Sequence, residues 1–455
     1  MTTSKSAERM TDYAARKERR RAQGSSFLGS VVEAYDFLLY ASAAALVFPR
    51  VMFTGMDPAL GTTLAFVTLL AGYLARPLGG LLFGHFGDRI GRKPMLFISV
   101  LVMGVVSLAI GLMPTNLGPV ISGVILTGIR VIQGIVVGGE WSGATLMSME
   151  HSSKRNKGFG ASIAVSGGPA GSVLATLVLG IFVALPEEQF LTWGWRVPFL
   201  LSIVVVAVAV YLRYRVSESP EFKAAAPSAV KQKAPLLRVL RDSRGKILLG
   251  ILVALAPLFL QVMLTSFMIS HLAGRSAGLA GEGVAPAITV DALLFMITAA
   301  SAVGVLTIPL VGWLSDRIGR NRMLVAGAVL GMIGVWPMMA LFSTNDPFLI
   351  GLGFMLGLPV MQVSMLGVLG AFLAELFETT TRYTGLSLTF QVGAAIGGGT
   401  APLVAQYLGQ AGGGGLTLIA VYYCLLACVA AAAVLIAGRH QPIRSRETAS
   451  MGTLA

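Results

Sequence analysis

Two carboxylates, Glu33 and Asp36, stand three residues apart in the apolar run 27–49, and two arginines, Arg76 and Arg130, stand inside the runs 59–83 and 118–149. At i and i+3 the carboxyls share one helix face, a turn apart. Arg130, Gln133, Val137 and Glu140 fall at roughly 0°, 300°, 340° and 280° around a helix axis, which makes a single stripe. Low dielectric makes a carboxyl hold its proton more tightly and a nearby guanidinium opposes that, so an acid whose arginine partner changes can load and release a proton. Guanidinium also grips a carboxylate through two parallel bonds, in a way lysine cannot. The same ions suit a second role, a fixed ion-pair network joining three helices, and Glu140, near the end of its run, suits it best. The neutral polar residues Tyr35, Tyr40, Gln133, Gln261, Gln362 and Gln391 also interrupt apolar runs. They fit ligand hydroxyls, and equally interhelical hydrogen bonds worth about 0.6 kcal/mol each.

The elements that must carry these residues follow from composition. Of 455 residues 55% are hydrophobic and 12% charged, with a mean hydropathy of +0.78, against roughly 25% charged in a soluble protein. Neither a water-covered surface nor intrinsic disorder is compatible with those figures. A membrane span needs about 20 apolar residues, and twelve runs qualify: 27–49, 59–83, 94–113, 118–149, 158–184, 193–213, 246–272, 288–314, 323–342, 348–374, 383–408 and 415–438. The fold class expected is an all-α membrane protein of twelve transmembrane helices.

The net charge of +13 does not mark a nucleic-acid binder, because the charges sit in short blocks between apolar runs. Of the 34 Lys and Arg, 29 lie on one side and only Arg50 and Arg275 on the other. That asymmetry places both termini in the cytoplasm of a bacterial-type inner membrane. Residues 1–26, basic and lacking an apolar core, read as a disordered cytoplasmic tail touching anionic headgroups rather than a cleaved signal. Pro235–Lys246 reads as an interfacial amphipathic helix. Cys424 and Cys428 sit i,i+4 in one run and the four histidines are scattered, so no disulfide, metal or cofactor is expected. No phosphate-cradling Gly-x4-Gly-Lys-Ser/Thr occurs, which argues against an ATP-driven pump.

The chain repeats itself. After the second run it reads Gly84-His-Phe-Gly-Asp88-Arg89-Ile-Gly91-Arg92-Lys93, and after the eighth Gly312-Trp-Leu-Ser-Asp316-Arg317-Ile-Gly319-Arg320. Asp88 and Asp316 are 228 residues apart, half the chain. Arg155-Asn-Lys-Gly158 and Arg382-Tyr-Thr-Gly385 keep nearly the same offset. The reading is a tail (1–26), a six-helix bundle (27–213), a cytoplasmic linker (214–245), a second bundle (246–438) and a tail (439–455). Inverted and parallel repeats of this kind place a ligand site at mid-membrane between halves that rock.

The doubled Gly-x-x-x-Asp-Arg-x-Gly-Arg motif resembles the loop signature of the major facilitator superfamily over essentially the whole chain. Glu33-Ala-Tyr-Asp36-Phe, Arg76-Pro-Leu-Gly-Gly, Arg130-x-x-Gln133-Gly, Gly138-Gly-Glu140, Gly194-Trp-Arg196-Val-Pro198-Phe and Glu218-Ser-Pro-Glu-Phe222 are similar to the metabolite:proton symporters. Ala34 departs from that pattern, where the family usually has Trp, and the short tail lacks the heptad extension of osmosensory betaine carriers.

The resemblance implies a monomeric carrier, not an enzyme, that moves a small organic acid with protons by alternating access. A carrier of a zwitterion such as proline or betaine, or an exporter of the same fold, stands as the alternative. It implies that Glu33 and Asp36, with Glu140, include the proton carrier, and that Arg76 and Arg130 with the polar residues above bind substrate. In such an arrangement Asp88 meets the start of helix 11 near Arg382, and Asp316 the start of helix 5 near Arg155. Arg89, Arg92, Arg317 and Arg320 complete these gates; the simpler reading makes them topogenic charge alone.

Overall fold

The computed structural model describes residues 2–229, 235–281 and 288–440. Among these there is no strand, and twelve long helices carry the chain. They are α1 (Thr2–Leu46), α2 (Pro58–Ile90), α3 (Arg92–Gly111), α4 (Pro119–Glu150), α5 (Lys157–Val183) and α6 (Arg196–Arg215), then α7 (Arg244–Gly281), α8 (Val290–Ile318), α9 (Arg320–Phe342), α10 (Pro347–Glu375), α11 (Arg382–Ala411) and α12 (Thr417–Arg439). Ten of them are long and apolar enough to cross a membrane by composition alone, and α1 and α2 bring the total to twelve transmembrane helices. Leu74, Val124, Ile181, Leu306 and Leu403 are exposed in a band around the perimeter. A helix satisfies its own backbone groups, so lipid can replace water around such a band.

The paired motifs end helices in the same way. Gly91 and Gly319 close α2 and α8 at φ of +113° and +99°. A side chain strains that region, so each glycine allows the short turn into the next span. Within the first half, a Cβ on Gly134 would lie 2.0 Å from the Gly72 carbonyl, and one on Gly138 2.1 Å from that of Arg76. The backbones of α2 and α4 therefore touch, and this contact brings Arg76 and Arg130 to one wall. The second half is less regular. Wide π-type turns interrupt α7 at Met263–Phe267, α10 at Gly357–Gln362 and α11 at Ala394–Gly398, and such bulges loosen the intrahelical ladder.

Two expectations need correction. The segment 1–26 is not a disordered tail: α1 runs back to Thr2. Its sequence carries helix formers and no glycine before Gly24, and the extension is anchored. Ala22 is buried, Gln23 donates to Ser152 at 3.2 Å, and the Ser217 amide donates to Glu18. The amphipathic segment forms a helix only over Pro235–Asp242, with Val239 buried and a break before Arg244. Lys231, Lys233 and the tail beyond 440, with Arg444 and Arg446, lie outside the described residues.

Candidate functional site

Arg76 and Arg130 lie near the middle of α2 and α4 and Glu33 and Asp36 in the last third of α1, and three of the four line one cavity. Its wall comprises Glu33, Phe37, Gly72, Arg76, Met103, Arg130, Gln133, Gly134 and Val137, all from α1 to α4. Arg130 is 4% exposed and its guanidinium lies flat on the Tyr40 ring, 3.6 Å from the centroid. One nitrogen, Nη1, donates to Gln133 Oε1 at 2.8 Å. Nε and Nη2 are buried without a hydrogen-bond partner. Those two N–H groups form one edge of the guanidinium, the edge that takes a carboxylate through two parallel bonds. Arg76 lies over the Tyr73 and Phe37 rings at 4.4 and 5.0 Å.

Asp36 is buried beside this cavity. Its Oδ2 accepts from Ser107 of α3 at 2.6 Å, and its Oδ1 has no partner. Glu33 Oε2 is likewise buried and unpartnered. Among the described residues none of these four ions forms a salt bridge with another, so the fixed network weighed from sequence does not exist in this conformation. The aromatic faces of Tyr40, Tyr73 and Phe37 supply cation–π contacts in its place.

The remaining sequence candidates divide. Tyr40 does not line the cavity but lies under Arg130 and shares a 2.6 Å hydrogen bond with Thr68. Tyr35 instead donates to the Pro198 carbonyl on α6 at 2.8 Å, and Gln391 donates across the two halves to the Gly138 carbonyl at 3.0 Å. Both are interhelical bonds away from the cavity wall. Gln261 and Gln362 on α7 and α10 do not line it either; an apolar run with one glutamine does not disclose which way that glutamine faces. Glu140 is separated from the proton candidates. It is bonded to Arg213 of α6 and to Ser99, and a Cβ on Gly29 would collide with that pair. Arg213, the last residue of its apolar run, is 3% exposed. Arg196 caps the end of α3, donating to the Gly111 and Met113 carbonyls at 2.9 and 2.7 Å.

At the face bearing the basic loops the two halves are fastened together. Asp88 accepts from the Tyr383 and Thr384 amides at 3.1 and 2.9 Å and from the Thr384 hydroxyl at 2.8 Å. Asp316 accepts from the Gly158 and Phe159 amides, both at 2.8 Å. Each aspartate thus meets the first N–H groups of a helix in the other half, where the helix dipole favours a negative charge.

The arginines differ from expectation. Arg382 points away from Asp88, to Glu150 and Glu221 at 3.0 and 2.6 Å. Arg155 is exposed, and Asp316 is paired with Arg320 at 3.0 Å. Arg92 is fully buried between the Thr379 carbonyl, Glu150 and the Phe222 ring. Arg89 and Arg317 are exposed, Arg317 lying on Trp313. The amides of the facing helix occupy the aspartate oxygens, and Arg92, Arg320 and Arg382 each reach a further acid, Glu150 or Glu375. Those acids, Glu150 and Glu375 at corresponding ends of α4 and α10, were missed in the sequence; Glu375 pairs with Arg320 at 2.7 Å. Their offset of 225 residues was available as a signal.

The linker closes over the Asp88 contact. Glu218 accepts from the Arg92 and Lys93 amides at 3.2 and 3.0 Å, Ser219 donates to Glu150, and Glu221 bridges Lys157 and Arg382. Burial pushes the Glu221 carboxyl up, but hydrogen bonds from Lys157 and Arg382 outweigh it and hold the group below the ordinary range. A depressed acid stabilises the fold above its unfolded pKa and loses that contribution as pH falls through the folded value. Glu221→Gln is expected to destabilise the fold at pH 7 by about 1 kcal/mol for a partly exposed bridge, read as a lower melting temperature. The gap to wild type closes below about pH 4.

The cavity, the paired gates and the duplicated helices agree with what the chain resembles. The family model described as Major Facilitator Superfamily matches residues 27–303 and again 277–453. The chain belongs to the major facilitator superfamily. It is 37% identical to the shikimate transporter of Escherichia coli K12, over 90% of this chain and 93% of that protein. It is 32% identical to an inner-membrane metabolite transport protein of the same organism, over 95% and 97%. It is 30% identical to the proline/betaine transporter, over 85% and 77%. Among solved structures it superposes on the proton:xylose symporter XylE bound to 6-bromo-6-deoxy-D-glucose with a TM-score of 0.73 at 16% identity, covering 94% and 96%. The protein is a multi-pass membrane transporter, not an enzyme.

Proposed function

We propose that the protein imports a small carboxylate metabolite of the shikimate type together with protons, across the bacterial inner membrane, with the basic face and both termini in the cytoplasm. The observation that carries this reading is the buried, unpartnered Nε/Nη2 edge of Arg130, a residue that lines a cavity with Glu33 and has Asp36 nearby. An unpaired buried guanidinium is costly and calls for an anion. A carboxyl with a bare oxygen nearby can neutralise itself by taking a proton when the anion arrives. A relative that transports shikimate, and a fold neighbour that is a proton symporter, support the same assignment.

The halves 27–213 and 246–438, joined by the linker 214–245, rock against each other as a monomer, with this cavity carried by the first half. Asp88 and Asp316, with Arg92, Arg320 and Arg382, act as the cytoplasmic gate, a bistable contact that must break for release. Glu140 serves as a structural partner of Arg213 and leaves proton carriage to Asp36 and Glu33. Kinship with proline/betaine carriers at 30% identity keeps a zwitterion as the second reading, since betaine also presents a carboxylate.

The test is uptake into proteoliposomes under an imposed pH gradient, offering shikimate, 2-oxoglutarate, citrate, proline and glycine betaine. Accumulation of one carboxylate driven by an acidic exterior is expected; accumulation of betaine alone would move the protein to the second reading. Asp36→Asn is expected to lose pH-driven accumulation yet retain substrate exchange. If both Asp36→Asn and Glu33→Gln accumulate substrate as wild type does, neither acid carries the proton.

A further inference from the structure

Ser107 had no signal in the sequence, yet it is the partner of Asp36. Three bonds link the acid to the arginine: Arg130 Nη1 donates to Gln133 Oε1 at 2.8 Å, Gln133 Nε2 donates to Ser107 Oγ at 3.5 Å, and Ser107 Oγ donates to Asp36 Oδ2 at 2.6 Å. Each donor points the same way, from the cation toward the carboxylate, and Ser107, Gln133 and Asp36 are at most 2% exposed. We infer that Ser107 and Gln133 are positioning residues that pass the charge state of Asp36 to Arg130, so that proton loading releases the guanidinium for an anionic substrate. The inference rests on the proton-coupled reading above and adds to it the route of coupling and the order of binding.

The physical basis is the strength of the last bond. A hydroxyl bonded to a carboxylate is roughly twice as strong as one bonded to a neutral acceptor, and bonds in series polarise one another. With Asp36 ionised, the chain is pulled tight and Gln133 holds Nη1. A proton arriving on Oδ1, the bare oxygen, leaves Oδ2 as a neutral acceptor and slackens all three bonds. The 3.5 Å link between Gln133 and Ser107 is the weakest joint and parts first. Arg130 then keeps its aromatic bed on Tyr40 but loses its tie to Gln133, and its charge loses its counterpart. Substrate binding is favoured by both changes.

Other charges around Asp36 do not provide this route. On α1 the neighbours are Glu33, Tyr35 and Tyr40; α2 presents Tyr73 and Arg76, which lie off the chain. Glu140 and Arg213 of α4 and α6 are tied to each other, and Arg196 of α6 is at the opposite rim. Charged side chains of α3 and α5 lie only at their basic-face ends. Through-space attraction between Asp36 and Arg130 exists without the chain, so the chain must be tested against it.

Linkage supplies the measure. If protonation strengthens substrate binding by a factor, substrate strengthens protonation by the same factor, typically about 5- to 150-fold. Shikimate binding to the purified full-length protein, measured by calorimetry between about pH 5.5 and 8.5, gives that factor. Ser107→Ala and Gln133→Leu are expected to cut it at least about fivefold, with shikimate affinity at high pH raised. Ser107→Thr, which keeps the hydroxyl, is expected to restore it. A second measurement needs no substrate: the infrared band of protonated Asp36, identified by its loss in Asp36→Asn, should titrate about tenfold shifted in proton concentration in Gln133→Leu. Wild-type linkage in Ser107→Ala, or an unmoved Asp36 band in Gln133→Leu, overturns the inference and leaves proton symport standing. Linkage that persists in Asp36→Asn overturns the assignment of Asp36 itself.

Discussion

Replacing Arg130 with lysine is expected to raise the apparent KM for the transported carboxylate by roughly 30- to 100-fold, a loss of about 2–3 kcal/mol. The charge survives this substitution, so a role in net electrostatics alone predicts little change. What the substitution removes is geometry. The guanidinium lies on Tyr40, is fixed at Nη1 by Gln133, and presents Nε and Nη2 together as a fork. An ammonium on a flexible stem offers one donor at a time toward the cavity and cannot stack as a plane. The orientation that contact with the Tyr40 ring has already fixed must then be supplied at each binding event. Initial rates of uptake in proteoliposomes, with melting temperature as the control for folding, read the effect. An unchanged KM would make Arg130 a structural residue and remove the carboxylate reading, whereas a raised KM with an unchanged maximal rate locates the loss in binding.

The parts of this site visible in the sequence are those that stand out against an apolar background. Arg130, Arg76, Glu33 and Asp36 are conspicuous because charge within a span is costly, and the paired aspartates are conspicuous because the chain repeats them at half its length. Twelve spans follow from hydropathy for the same reason. Ser107 carries no such mark: a serine in an apolar helix commonly bonds its own backbone, as Ser99 does with Leu96 in addition to reaching Glu140. Pairing was the other blind spot. Arg382 finds Glu150 across 232 residues and Arg92 finds Glu150 across 58, and sequence distance does not distinguish these from the partnership with Asp88 that the motif suggested. Glu140 misled for a related reason. Its place on the Arg130 stripe is correct by periodicity, but the stripe extends past the cavity to the basic face, where Arg213 fills the notch at Gly29.

Asp88→Asn is expected to open the basic face. Its carboxylate accepts three hydrogen bonds from the first turn of α11, all buried, and bonds to a charged acceptor contribute about 1.5–3 kcal/mol each. An asparagine oxygen accepts in the same place without the charge, and its amide turns a donor toward the Tyr383 and Thr384 amides. A net loss of about 2–3 kcal/mol raises the open population roughly 30- to 100-fold, because each 1.4 kcal/mol is a factor of ten. Ser387, fully buried on α11 with its carbonyl against Gly80 of α2, lies within the contact that must part. In a protein with Cys424 and Cys428 replaced by serine, a Ser387→Cys thiol is therefore shielded from a water-soluble maleimide while the gate is shut. When opening and closing outpace labelling, the labelling rate follows the open population, and Asp88→Asn raises it by the same factor. Asp316→Asn should act in the same direction but less strongly, because Asp316 makes two interhelical bonds where Asp88 makes three and, among the described residues, no linker residue covers its arginine as Phe222 covers Arg92. Equal labelling in Asp88→Asn and its parent would mean that the halves are held by their other contacts, the Asp316 bonds, the Arg382–Glu150 pair, the Trp141–Phe390 stack at 3.5 Å and the Tyr383 bond to Gly139, and that Asp88 is there only to cap a helix.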